Sequence, residues 1–351
     1  MQLNPPPPRR TSPPSAVAGV SLVELMISIV LGMLLIAALT TVFASTSAAR
    51  NELERTSRQI ENGRFAMELL SDDLRVAGFY GELNVKQLAV PAALPDPCST
   101  TVADWSSAIA IGVQAYDNGA SKPACIPSSW KAGTDVLVVR RTSTCEAGVG
   151  SCPAANAAYA NFQVSKCATE SATTPFAIGI GAKSTAPFTL TNKNCTTVAE
   201  VRQYLVHIYY ISTNNGDGAA IPTLKRLEFN GTAYTESPLV EGIEELNIEY
   251  GIDNDNDGAP DAYTANPSTY TYAGCATCTA PINWSNVVSA RVSLLARNIE
   301  TSPNYTDTKT YSLGLDSAGA AVTVTPGGAF RRHAYSGLVR VVNSAERRET
   351  P

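Results

Sequence analysis

The chain has 351 residues, a formal net charge of −5 and a pI of about 5.2. With no basic stripe, that balance excludes a direct nucleic-acid surface built on phosphate neutralisation. Its two histidines, His207 and His333, are isolated, and both a phosphate-cradling glycine loop with its lysine and a Gly-x-Ser-x-Gly elbow are absent. A carboxylate pair needs only spatial proximity and stays open on sequence grounds; the expectation is a protein without enzymatic activity.

Residues 1–19 hold Pro5, Pro6, Pro7, Pro8, Pro13 and Pro14 together with Arg9 and Arg10, the composition of an extended tail. From 26 to 43 the sequence is apolar apart from Ser28, Thr40 and Thr41. Counted from Val20, the segment is long enough to cross a bilayer as a helix, which takes roughly 20 residues. Glu24 lies near its start, and a charge at the centre of a membrane helix costs about 2.5–3.5 kcal/mol. A position close to the interface, within reach of water, is one explanation. Gly19 suggests another. In a secretory signal the small-residue cleavage site follows the apolar stretch; here the Gly19–Val20 bond precedes it. Cleavage there leaves the hydrophobic helix as the mature N-terminus, with Glu24 as its fifth residue. That order resembles the class III, or type IV, prepilin signal, although Val20 stands where that family usually has Phe or Met. Arg9 and Arg10 should stay cytoplasmic, placing the C-terminal bulk outside the inner membrane.

No proline interrupts 50–77, where Leu53, Ile60, Met67 and Leu74 recur every seven residues beside a companion row of Gly63, Leu70 and Ala77. The other positions carry Glu52, Glu54, Arg55, Arg58, Glu61, Glu68, Asp72 and Asp73. One apolar stripe on a charged helix buries against something. A two-stranded coiled coil would serve, but Gly63 weakens it, and the chain's own downstream sheet is the simpler partner. A continuous helix from Val20 to Gly78 would run roughly 90 Å at 1.5 Å per residue.

Beyond Gly78 the sequence turns to β-prone runs separated by Gly, Pro, Ser, Thr and Asn. Strands are expected at 135–140, 203–211, 223–229, 246–250, 287–295 and 335–342, with the second and third joined as a hairpin through the turn at 214–218. The stretch 91–195 is less regular and reads as a disulfide-stapled elaboration of the core. All eight cysteines (Cys98, Cys125, Cys145, Cys152, Cys167, Cys195, Cys275, Cys278) follow the apolar segment, as suits an oxidising compartment. Eight cysteines allow 105 connectivities, and sequence-adjacent pairing is the default. Cys275-Ala-Thr-Cys278 has no second CxxC to complete a zinc site, so a local or partner disulfide is expected there. Asp253, Asp255, Asp257 and Asp261, with Gly258 at the sixth position, match the opening of a calcium loop. The Ala259 carbonyl is a further candidate ligand. Position twelve is Thr264 instead of a bidentate Glu, no helix pattern flanks the loop, and Asp/Asn/Gly runs also make solvated turns. Calcium, weakly held, is therefore the candidate cofactor, and none is required.

Two longer segments extend the resemblance. Asn62-Gly-Arg-Phe-Ala-Met-Glu-Leu-Leu-Ser-Asp-Asp-Leu-Arg-Val-Ala-Gly-Phe79 looks like the helix hallmark of PilW-type minor pilins. Leu239-Val-Glu-Gly-Ile-Glu-Glu-Leu-Asn-Ile-Glu-Tyr-Gly251 resembles a strand segment shared with the J-type pseudopilins of type II secretion, and 287–297 and 331–343 are similar to later strands of the same group. The resemblance implies an α+β pilin fold: a long N-terminal helix, membrane-spanning in its first half, packed on an antiparallel β-sheet head with a disulfide-rich insertion. The corresponding divisions are a leader (1–19), a transmembrane helix half (20–43), an amphipathic half (44–83), a Cys-rich irregular and β elaboration (84–200) and an antiparallel β core (201–351). It implies a minor pilin of the type IV pilus that helps to start assembly in the inner membrane and sits at or near the tip. Its partners would be the prepilin peptidase, other minor pilins, the major pilin and inner-membrane lipid. The freed, N-methylated amine of Val20 and the Glu24 carboxylate of a neighbouring subunit would offset each other's cost in lipid. Two alternatives stand beside this reading: a secretion pseudopilin, and a membrane-anchored calcium-dependent adhesin that never enters a filament.

Overall fold

The computed structural model describes residues 19–118, 122–156, 159–272, 275 and 278–345. The proline-rich leader up to residue 18, with Arg9 and Arg10, and the terminal Arg347 and Arg348 lie outside them. The chain divides into two compact units, Met1–Glu54 and Arg55–Pro351.

Helix α1 (Leu22–Arg75) is 54 residues long and, in its first part, apolar enough to cross a membrane. Within the first unit every residue from Val20 to Phe43 is exposed, Gly32 alone being half-buried. The polar residues of that stretch turn inward on the helix itself: Ser28 Oγ donates to the Glu24 carbonyl at 2.7 Å, and Thr40 and Thr41 donate to the carbonyls of Ala37 and Ala38, each at 2.8 Å. A helix surrounded by hydrocarbon requires this self-sufficiency.

In the second unit α1 ends at a sharp turn. Gly78 sits at φ +70°, its N–H donating to the Arg140 carbonyl at 2.9 Å, and its backbone lies so close to Gly112 that a Cβ there would meet Gly78 N at 2.7 Å. After α2 (Val102–Ala108) come β1 (Val113–Tyr116), β2 (Val136–Thr142), β3 (Ala160–Val164), α3 (Ala168–Ser171) and β4 (Phe176–Ile180). Next are β5 (Val201–Ser212), β6 (Thr223–Phe229), β7 (Tyr234–Glu241), β8 (Ile243–Ile252) and β9 (Ala262–Thr264). The chain closes with α4 (Ala280–Ser285), β10 (Val287–Arg297), β11 (Tyr311–Leu315), β12 (Ala321–Val324), β13 (Arg332–Arg340) and α5 (Val342–Ala345).

Every strand pair among the described residues is antiparallel. One seven-stranded sheet is organised around β5, which pairs with β2, β3 and β6; β1, β4 and β7 extend it. A four-stranded sheet runs β13-β10-β8-β9, and β11 and β12 form a separate ribbon. The expected hairpin forms, with Ile211 opposite Leu224. The elaboration expected over 84–200 contributes β1 to β4 to the same sheet as β5. The last strand starts at Arg332 and stops at Arg340, because Val342 already begins a helical turn.

The period-2 alternation of β5 divides two cores. Tyr204, Val206, Ile208 and Tyr210 pack with Trp105, Phe162 and Phe229 on one face. Tyr209 and Ile211 face the other, where Ala66, Leu70, Leu74 and Ala77 meet residues of both sheets, including Leu246 and Val292, and Trp284 of α4. Asp135 clips the sheets together, accepting from Ile248 N–H at 2.7 Å and from Asn118 N–H at 3.0 Å.

The seated face of α1 differs from the expected stripe. Leu53 and Ile60 are exposed, at 71 % and 45 %, while Gln59, Gly63, Ala66, Leu70, Asp73 and Leu74 are buried. The companion row holds, and the heptad row Gln59, Ala66, Asp73 lies beside it. Of the expected row, Met67 packs half-buried against the core and Leu74 is buried. One turn or more before them, Gln59 is seated instead of Leu53 and Ile60, because the sheet supplies its partner: Gln59 Nε2 donates to the Ala296 carbonyl at 2.9 Å. Gly63 admits the Tyr335 ring, which a Cβ at that position would overlap.

Candidate functional site

Three places carry the candidate chemistry. The first is the N-terminal motif. Gly19 and Val20 precede the helix and are exposed and non-helical. The first helical hydrogen bond runs from Leu25 N–H to the Ser21 carbonyl at 3.0 Å, which sets Glu24 in the first turn. A carboxylate there faces the positive end of the helix dipole. It is exposed, and it is the single charged side chain between Val20 and Phe43.

The second is the seat of α1 on the large sheet. Asp73, which the sequence places among solvated charges, is 6 % exposed. Its Oδ1 accepts from Arg141 Nε at 2.6 Å, and its Oδ2 contacts His207 Nδ1 at 2.7 Å and accepts from the Tyr209 hydroxyl at 2.9 Å. Alternation explains the convergence: Arg141 shares a β2 face with Leu137 and Val139, and His207 and Tyr209 share a β5 face, all turned toward the helix. Across the β5–β6 ladder His207 stands opposite Glu228, whose Oε1 lies 3.8 Å from His207 Nε2, and Arg226 Nη2 donates to Glu228 Oε2 at 2.8 Å. Desolvation works against the Asp73 carboxylate, yet His207 and Arg141 overcome it and hold its pKa down to about 2. For His207 burial disfavours the charged ring, but Asp73 and Glu228 outweigh it and raise the pKa above 6.5. Sequence reasoning missed this cluster. The signal was present in the heptad row of Asp73 and in the i, i+2 spacing of His207 and Tyr209.

The third is the aspartate loop, which is the β8–β9 hairpin connection and is flanked by strands instead of helices. Carboxylate oxygens of Asp253, Asp255 and Asp261 lie within 4.8 Å of one another. Asp257 is not in that group; its Oδ1 accepts from Ala259 N–H at 2.7 Å. Asp253 is buried and accepts from Asn256 N–H at 2.7 Å and Gly258 N–H at 3.1 Å, with Asn256 and Gly258 at φ +66° and +88°. Asp261 accepts from Asn254 N–H at 2.6 Å. The Asp257 N–H bond to Asp255 lowers that carboxyl's pKa, but desolvation and repulsion from Asp257, Asp261 and Asp253 together raise it. An all-oxygen set suits a hard cation such as Ca²⁺, with three carboxylates of the four expected. The same carboxylates also cap the loop's own backbone donors.

The cysteines pair in sequence order: Cys98–Cys125, Cys145–Cys152, Cys167–Cys195 and Cys275–Cys278. The first three close connections around β1 to β5.

Residues 208–343, from within β5 to α5, match the family model described as PilW, Type IV Pilus-assembly protein W. No curated protein matches the chain. Among solved structures it is similar to a type IV-like pilin from Thermus thermophilus, at 13 % identity and a TM-score of 0.33, over 82 % of this chain and 96 % of that one.

Proposed function

We propose that this chain, which carries a PilW-type domain over residues 208–343, is a minor pilin that helps to start type IV pilus assembly and sits at or near the tip. The observation that carries the reading is the Gly19, Val20 and Glu24 motif heading an exposed apolar helix on the same chain as that domain. In this reading the helix anchors the protein in the inner membrane with its C-terminal bulk in the periplasm. The prepilin peptidase cuts after Gly19, and the new Val20 amine is N-methylated. Glu24 then meets the amine of a neighbouring minor or major pilin. Each charge alone is expensive in lipid, so the pair guides a subunit from the membrane into the growing assembly.

The test is the N-terminal mass of the protein from its native membrane, with and without the peptidase. A methylated Val20 terminus that disappears with the peptidase is the expected result. An intact leader, or a cut beyond Phe43, overturns it and leaves the anchored adhesin. Glu24→Ala is expected to be cleaved normally yet to lose co-purification with other minor pilins. Normal piliation and normal co-purification would sink the role given to Glu24, and co-purification with secretion components alone would assign the chain to a pseudopilus.

A further inference from the structure

The seat of α1 contains a titratable cross-link to which the proposed function assigns no role. His207 is buried with one ring nitrogen 2.7 Å from an Asp73 oxygen and the other 3.8 Å from a Glu228 oxygen. Neutral imidazole has a single N–H, so only the protonated ring presents a donor to both carboxylates. The charged and titratable groups around it come from three elements besides its own: Asp73 from α1, Arg141 from β2, and Arg226 and Glu228 from β6, with Tyr209 on β5 itself. Each carboxylate already has an arginine, Arg141 on Asp73 and Arg226 on Glu228. Deprotonating His207 therefore leaves each carboxylate its arginine and the ring one N–H, enough for Asp73 or Glu228 but not both, and removes the positive charge that stands between them. That charged bridge ties the last turns of α1 to β5 and β6.

We propose that His207 is a pH-sensitive latch, fixing the C-terminal turns of α1 on the large sheet while protonated and loosening them as the periplasm turns alkaline. The direction follows from linkage. A histidine whose folded pKa lies above its ordinary 6.5 contributes fully below 6.5 and loses that contribution as pH rises through the folded value. The device is local, because β10 of the other sheet supplies none of these groups.

The test is amide hydrogen exchange of the full chain in detergent micelles between pH 6 and 9, read as protection factors so that the chemical dependence on pH cancels. For amides of 70–77 the latch predicts protection falling with pH by up to about tenfold per unit, the limit for one proton, while amides of β10 hold constant. His207→Gln should give a flat profile. Glu228→Gln, which leaves the Asp73 bond in place, should give a shallower one and serves as the second variant if His207→Gln does not fold. A flat wild-type profile, a fall shared by β10, or a slope unchanged in Glu228→Gln would each overturn the latch.

Discussion

Asp73 shows how one side chain reverses a reading of its helix. In sequence it follows Asp72 and looks like one more solvated charge, and Asp72 is indeed exposed. One step of 100° around the helix carries Asp73 onto the buried face, where two cations and a hydroxyl await it. Removing one partner of such a cluster costs more than the cluster is worth, because the others stay buried without it. Asp73→Asn is expected to destabilise the protein by about 3 kcal/mol or more in urea unfolding. The pH dependence has a definite sign. With the folded pKa depressed to about 2 from an ordinary 3.8, the contribution is complete above pH 4 and is lost as pH falls through 2. The wild type should lose about 2 kcal/mol over that interval from this group, and the Asn variant should not. Equal acid sensitivity of the two proteins would show that Asp73 is not the group responsible. No periodicity announces this behaviour: the helix repeat identifies a face, but which polar residue is tolerated there depends on Arg141 and His207, 68 and 134 residues further along the chain.

The elements that were legible are those with long, regular patterns. Residues 203–211, rich in β-prone side chains, and 223–229, which alternate, flank an Asn-Gly turn, and they form β5 and β6 in the expected hairpin. Residues 287–295 lie inside β10, buried on both faces between β8 and β13. The strands β1, β3 and β4 have four or five residues each and are separated by cysteine-bearing loops, too short for a period to show. What makes them strands is the edge that β2 offers β1, β5 offers β3 and β3 in turn offers β4, in the first two cases a long-range condition. The aspartate loop is a mixed case. Its spacing was visible, but the hairpin geometry brings together Asp253, Asp255 and Asp261 and leaves out Asp257. Calcium at this loop stays a proposal, and calorimetric titration together with thermal melting tests it. At ten times its Kd an ion bound to the folded state adds about 1.4 kcal/mol, a rise of several degrees at most. Asp253→Asn should abolish both the heat and the shift. No heat and an unchanged melting temperature in excess Ca²⁺ would remove the proposal.

Across the whole chain, the PilW match and three of the four disulfides fall on different parts. The matched range 208–343 contains Cys275 and Cys278, whereas the other three bridges precede it, around the strands that flank β5. Their loops differ in length. Cys98–Cys125 and Cys167–Cys195 span 27 and 28 residues, while Cys275–Cys278 spans 3. A cross-link stabilises mainly by restricting the unfolded chain, so the two long loops are worth about 3.5 kcal/mol each and the shortest about 2, before native-state strain. The staples matter here because β1, β3 and β4 are too short to hold their register alone and depend on the closure of the chain between them. Replacing both cysteines of a pair by alanine in the full chain should therefore lower the melting temperature most for Cys98/Cys125 and Cys167/Cys195, and least for Cys275/Cys278. Hydrogen exchange should place the loss from the first two in β1 to β4, with β8 and β10 still protected. If Cys275/Cys278 proved the costliest pair, or if β8 and β10 opened together with β1, the large sheet would not depend on its staples in this way, and the cysteine-rich half would have to be held by the two cores alone.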